Sequence, residues 1–145
     1  MTLVAVTAEE VERLQHGDTG GRPVAPGWPH EDTAAGLSFA HAGGWQFLIV
    51  DEAGRIAGEC GTKTAPRDGL VEIGYGLAAP SRGRGLGTAA VGELVDWLVS
   101  RPDVSAIEAE VHVSNTPSRR VVEGLGFLAT GGPDLGYLRY RRSAE

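Results

Sequence analysis

The chain has 145 residues, 41% hydrophobic and 22% charged, with a formal net charge of −6. That length supports one domain over residues 1–145 with its own core, and that balance excludes a disordered polymer and speaks against a dedicated nucleic-acid binder, which carries the opposite sign. The single cysteine, Cys60, excludes an internal disulfide framework; no apolar run reaches the roughly 18 residues of a membrane span; and Met1–Val6 lacks a basic segment before Glu9 and Glu10, so the expectation is a cytoplasmic protein without a signal peptide.

From the N-terminus, Leu3–Val6 reads as a short strand. Thr7 caps a helix over Ala8–Gln15, with Glu9 and Glu10 in its first turn. His16–Pro29 is rich in glycine and proline and reads as a long loop, the kind that carries function or moves. Glu31–Ala42 is a weak helix interrupted by Gly36. Trp45–Val50 and Arg55–Lys63 form a hairpin about Asp51–Gly54, and Val71–Leu77 is a third strand. Leu86–Val99 is an amphipathic helix, with Val91, Leu94, Val95 and Leu98 on one stripe. Ala106–Val113 is a strand. Thr116 caps a short helix with Pro117 at its first position, closed by Gly124 and Gly126. Phe127–Thr130 and Tyr137–Arg141 are the last strands, around a turn at Gly131–Asp134, with Arg139, Arg141 and Arg142 as a solvated edge. The order predicts an α/β (mixed α+β) domain: a mixed sheet with helices on both faces.

Between the third strand and its helix lies Arg82-Gly83-Arg84-Gly85-Leu86-Gly87-Thr88. A glycine-rich turn into a helix N-terminus aims backbone N–H groups and the positive helix end at one spot, which suits a phosphate or pyrophosphate. A P-loop would need lysine before Thr88, and the residue there is Gly87. A dinucleotide fingerprint would need a third glycine or alanine where Thr88 stands, in a chain with a different strand order.

Arg82-x-x-Gly85-x-Gly87 is similar to the acetyl-CoA signature of the GNAT N-acetyltransferases. Glu72–Ala78 resembles the family's fourth strand. Asn115–Phe127 resembles a segment of its ribosomal-protein N-terminal acetyltransferase branch. The resemblance implies a mostly antiparallel mixed sheet of about seven strands, splayed between the fourth and fifth. It implies acetyl-CoA as cosubstrate, its pyrophosphate on Arg82, Gly83, Arg84, Gly85, Leu86, Gly87 and Thr88. Splayed strands leave backbone groups for the pantetheine amides, and position assigns Leu77 and Ala78 to that edge. Asn115 either orients the cofactor or caps a helix. Family members often form homodimers.

Acetyl transfer to an amine needs a proton acceptor and a way to protonate the leaving thiolate. Glu72 stands where some members carry a general-base glutamate, or is a solvated or ion-paired strand residue; Glu110 is the second candidate and Glu59 the third. The family's general-acid tyrosine falls at Val122, so that role is vacant. Ser118 matches a serine near the CoA sulfur, or is a first-turn serine bonded to the backbone. Cys60 reads as a packed strand residue, and His16, His30, His41 and His112 show no metal-ligand spacing. The sequence reading is therefore a CoA-dependent N-acetyltransferase without metal, acting on a small cationic amine or a peptide N-terminus. The acceptor is placed under the loop His16–Pro29, near Trp28, Glu31 and Asp32, unless Trp28 is core and the acids are solvated. A non-catalytic CoA-binding sensor of the same fold is the alternative.

Overall fold

A computed structural model describes residues 3–145. In chain order it contains β1 (Leu3–Val6), α1 (Ala8–Gln15), α2 (Thr33–Gly36), a 3-10 turn at Phe39–Ala42, β2 (Gln46–Val50), β3 (Ile56–Thr62) and β4 (Leu70–Leu77). A 3-10 turn at Ala79–Ser81 leads to α3 (Leu86–Val99), β5 (Ala106–His112), α4 (Thr116–Gly124), β6 (Leu128–Asp134) and β7 (Tyr137–Ser143). The strands form one seven-stranded sheet in the order β1-β2-β3-β4-β5-β7-β6. Every neighbouring pair is antiparallel except β4–β5, which is parallel because α3 carries the chain across.

The anticipated stripe on α3 is the centre of one core layer. Ala90, Val91, Leu94, Val95 and Leu98 are buried against Ile49, Cys60, Val71, Ile73, Ile107 and Ala109 of the sheet. The opposite face holds a second cluster of Val11, Trp28, Leu37, Leu48, Ile56 and Ala78 under α1, α2 and the long loop. The Thr7 cap is a full capping box with Glu10.

Three local readings need correction. The helix over Glu31–Ala42 is two short pieces, because the chain presses Gly36 onto Glu59: a Cβ at Gly36 would lie 2.7 Å from Glu59 Cγ. The last hairpin turns at Leu135–Gly136, not Gly131–Asp134. Leu135 and Gly136 both take positive φ (51° and 86°), the tight turn that matches strand twist, while the ladder register shifts between Gly131 and Asp134. The sheet edge is therefore β6, and the arginines of β7 lie inside the sheet, between β5 and β6.

The β4–β5 ladder is short. It runs only from Leu70↔Ala106 to Ile73↔Ala109. Beyond it Gly74–Leu77 stay on β3, and Glu110–His112 stay on β7. The sheet splays open there. Lys63 N–H bonds Glu72 O, and Ala78 N–H bonds Ala57 O, both at 2.8 Å. Backbone groups alternate along an antiparallel pair, so the even-numbered residues of β4 point at β3. Tyr75 and Leu77 consequently aim their N–H and C=O into the gap.

A buried polar clamp holds the long loop against this part of the sheet. Glu59 of β3 is 1% exposed. Trp28 Nε1 donates to its Oε2 at 3.0 Å, and His30 Nε2 lies 2.5 Å from its Oε1, close but poorly aligned for a hydrogen bond. Asp32 N–H donates to His30 Nδ1 at 3.1 Å, which places the ring proton on Nε2, facing the carboxylate. Gly76 makes room for this: a Cβ there would meet His30 Cε1 at 2.9 Å. Burial raises the Glu59 carboxyl above its ordinary range, opposed by the Trp28 hydrogen bond and by His30. A carboxyl raised in the folded state keeps its proton longer folded than unfolded. Its contribution is full at low pH and is lost as pH rises from the usual glutamate range through the raised value. Urea unfolding across that window should show wild-type stability falling relative to Glu59→Gln as pH increases. A pH-independent difference would mean that burial does not tax this carboxylate.

Candidate functional site

The glycine turn forms as its sequence demands. Gly83 and Gly85 take φ of 77° and 80°, which side chains rarely adopt, and a Cβ at either would meet nothing within 4 Å. The surface above the turn is therefore open. Gly85 is the N-cap of α3 and offers no side-chain cap. The first intrahelical bond runs from Ala89 N–H to Gly85 O at 3.0 Å. The N–H groups of Leu86, Gly87 and Thr88 thus have no helical partner, at the positive end of a 14-residue helix. Arg84, Gly85 and Leu86 border a cavity of about 450 Å³, together with Arg55 and Ser81. The two arginines of the turn differ. Arg82 Nε donates to Leu77 O at 3.1 Å, and its guanidinium lies 3.7 Å from Glu31, so it fastens the turn to β4. Arg84 makes no ion pair among the described residues.

The splay begins where this turn leaves β4. Leu77 is on its edge. Ala78 is not: its N–H is taken by Ala57, and its methyl is buried in the core. The parity of the strand puts Tyr75 there instead, a residue the sequence reading passed over. The Tyr75 phenol crosses to α4, bonds Ser118 Oγ and lies 3.3 Å from Ser118 O. Burial raises the phenol's pKa, against the Ser118 bond. Asn115 is the N-cap of α4, its Oδ1 accepting from Ser118 N–H at 3.2 Å, so the cap is Asn115 and not Thr116. Arg119 Nη1 donates to Val113 O at 3.2 Å, and Tyr140 donates to Glu123 at 2.6 Å, which fixes α4 beside β5 and β7. Val122 is fully buried. Period-two counting back from Leu77, the edge residue the motif gave, would have found Tyr75.

The acidic candidates separate. Glu72 lies within the paired stretch of β4, and Lys63 Nζ holds its Oε2 at 2.5 Å. Glu110 is the first β5 residue beyond the last β4 partner, at the opening of the gap, with Arg139 Nη2 3.6 Å away. Glu59 is sealed in the clamp. The acceptor pocket expected at Trp28, Glu31 and Asp32 is not formed: Trp28 is 8% exposed with its N–H on Glu59, Glu31 leans on Arg82, and Asp32 is exposed. Cys60 is buried, and burial pushes its thiol far up, away from reactivity. Among the described residues, no three His, Cys, Asp or Glu side chains gather as metal ligands, and no helix is long and apolar enough to cross a membrane.

Known proteins share the family and the fold. The family model for an acetyltransferase (GNAT) domain matches residues 1–128. An uncharacterized N-acetyltransferase, p20 of Bacillus licheniformis, is 34% identical over 85 residues, 58% of this chain but only 48% of the relative. The match thus spans about half of that relative's length. Among solved structures, a ribosomal-protein-S5-alanine acetyltransferase from Vibrio fischeri superposes with a TM-score of 0.70 at 18% identity, covering 99% of this chain and 92% of that one. An aminoglycoside acetyltransferase solved with coenzyme A gives 0.68 at 21% identity, covering 98% and 94%. At those identities the likeness is one of fold. With the family model spanning most of the sequence, and a splayed β4–β5 pair beside a glycine turn, this chain belongs to the GNAT acetyltransferase family.

Proposed function

We propose that the protein transfers an acetyl group from acetyl-CoA to a primary amine. The observation that carries this reading is the gap at the end of the β4–β5 ladder, where Tyr75 and Leu77 present unpaired backbone groups directly beside the glycine turn of α3. A phosphate-bearing chain with amides along its length fits both features at once. The free N–H groups of Leu86, Gly87 and Thr88 suit the pyrophosphate, and Arg84 adds a positive charge with no other partner. Acetyl-CoA supplies an activated thioester. This chain's residues orient it and move protons.

Glu110 is favoured over Glu72 as the group that accepts a proton from the acceptor ammonium. Glu110 stands at the mouth of the gap, one residue beyond the last β4 partner, whereas Glu72 lies within the paired stretch with Lys63 on it; their side-chain exposures, 40% and 35%, are alike. Tyr75 fills the vacancy left by Val122. Its phenol, kept protonated by burial, lies against Ser118 at the first turn of α4 and can hand a proton to the departing sulfur. Ser118 holds that phenol in place. The sensor reading rested on a missing tyrosine, and Tyr75 removes that reason.

Two sets of substitutions test this. Gly87→Glu brings bulk toward Leu77, whose Cδ1 would lie 3.3 Å from a Cβ there, and negative charge to the helix end. A folded Gly87→Glu variant should bind CoA at least about tenfold more weakly by calorimetry, ~1.4 kcal/mol; unchanged affinity would remove the pyrophosphate from this turn. Glu110→Gln and Tyr75→Phe should each lower kcat about 10²-fold with little effect on CoA binding, while Glu72→Gln costs less. Equal losses in Glu110→Gln and Glu72→Gln would return the base to Glu72, and full activity in Tyr75→Phe would leave the thiolate to solvent.

A further inference from the structure

The face of the sheet opposite α3 carries charges that do not follow the overall balance of the chain. Two cavities lie side by side on it. One, of about 250 Å³, is lined by Lys63, Arg67, Glu72, Glu108, Glu110 and Arg139, among others. The second, of about 290 Å³, lies under the last hairpin and has Asp134, Leu135 and Tyr137 in its wall. They share Glu110 and Arg139, so the mouth of the β4–β5 gap lies between them.

Each carboxylate in the first cavity already has its own cation. Lys63 holds Glu72 at 2.5 Å, Arg141 holds Glu108 at 3.0 Å, and Arg139 lies 3.6 Å from Glu110. Arg67 is left over, with no ion pair among the described residues. Its backbone is pinned at the cavity edge by reciprocal hydrogen bonds with Leu70 of 3.0 and 2.9 Å. Although the whole chain is at −6, this wall, with Arg141 counted, holds four cations against three carboxylates, and Arg67 is the one charge in excess. A polyamine entering it would bring positive charge to Arg67, whose charge no carboxylate of the wall matches. An amine that also carries a carboxylate would meet complementary charge at both ends, and a guanidinium such as Arg67 takes a carboxylate through two parallel N–H bonds.

Building on the acetyltransferase reading, we infer that the acceptor is an amine bearing a carboxylate, its nitrogen beside Glu110 and its carboxylate on Arg67. This replaces the cationic acceptor expected from net charge with one chosen by local charge. The size of the cavity suits a fragment of amino-acid dimensions.

The test compares acceptors that differ only in the charge at their far end. Glycine, β-alanine and 4-aminobutyrate are each assayed against their amides and against diamines of matching length, with thiol release from acetyl-CoA giving kcat/KM. An acidic tetrapeptide amide with glutamate at its second position, set against its glutamine analogue, tells a small molecule from a peptide as the source of the carboxylate. At one length or in the peptide pair, the carboxylate form should win by about tenfold or more, the scale of a charged hydrogen bond, with diamines last. Arg67→Gln should bring the ratio of carboxylate to amide close to one. That ratio is internal to each variant and does not depend on how much of it is folded. Equal or better use of diamines, or a preference that survives Arg67→Gln, overturns the inference while leaving the transferase reading intact. Acetylation of no amine of any charge is the distinct sign that the transferase reading fails; calorimetry of the same compounds on the CoA-loaded protein then decides the inference, and binding without preference for the carboxylate overturns it.

Discussion

The structure depends on one constraint: a buried or half-buried backbone must find partners, and Tyr75 and Leu77 find none in the sheet. Leaving such groups unmet costs free energy on the scale of a lost hydrogen bond each. A fold keeps such a defect only where something else meets it. Arg82 meets one of the groups, the Leu77 carbonyl. The others stay open to a ligand that carries amides. The α3 turn lies at the end of the same strand, so a ligand that satisfies the gap has its anionic end at the helix N-terminus without any bend in the protein.

The two faces of the sheet divide the work. On the α3 face, tight apolar packing fixes the register of β4 and β5, and Tyr75 reaches across to α4. On the other face, the splayed part of β4 carries Gly74 and Gly76, whose missing side chains are replaced by the Phe39 and His30 rings; a Cβ at Gly74 would lie 2.7 Å from Phe39 Cζ. The Trp28–His30–Glu59 clamp therefore sets the wall of the gap as well as the stability of the loop. The acceptor inferred above would approach from beyond that wall, over β5 and β7, where the charges alternate in sign.

Much of this was legible in the sequence because it is local. The α3 stripe, the capping box at Thr7, and the glycines at 83 and 85 each follow from short-range rules. The errors concern long-range placement. Trp28 reads either as a ring facing a cation or as a core residue, and the structure takes the second, because its partner Glu59, 31 residues away, draws it inward. Net charge points to a cationic acceptor, while composition alone does not say which acids are matched across strands, and the acceptor inferred above departs from it on local charge. Ala78 was placed on the edge by motif position, whereas hydrogen-bond parity along β4 gives the edge to Tyr75. The turn of the last hairpin was set at a glycine-proline cluster, while the chain turns three residues later, where Leu135 and Gly136 share the required left-handed geometry.

The central claim is that the unpaired edge of β4 holds the cosubstrate. Residue-resolved amide exchange with and without CoA tests it directly. The account predicts that the Tyr75 and Leu77 amides exchange freely alone and slow roughly tenfold on CoA addition, the ~1 kcal/mol scale of a hydrogen bond gained. The amides of Glu72 and Ala78, already bonded or buried, change far less. If CoA binds and slows amides elsewhere while Tyr75 and Leu77 exchange as before, the cosubstrate does not lie in the gap, and the account is wrong at its base.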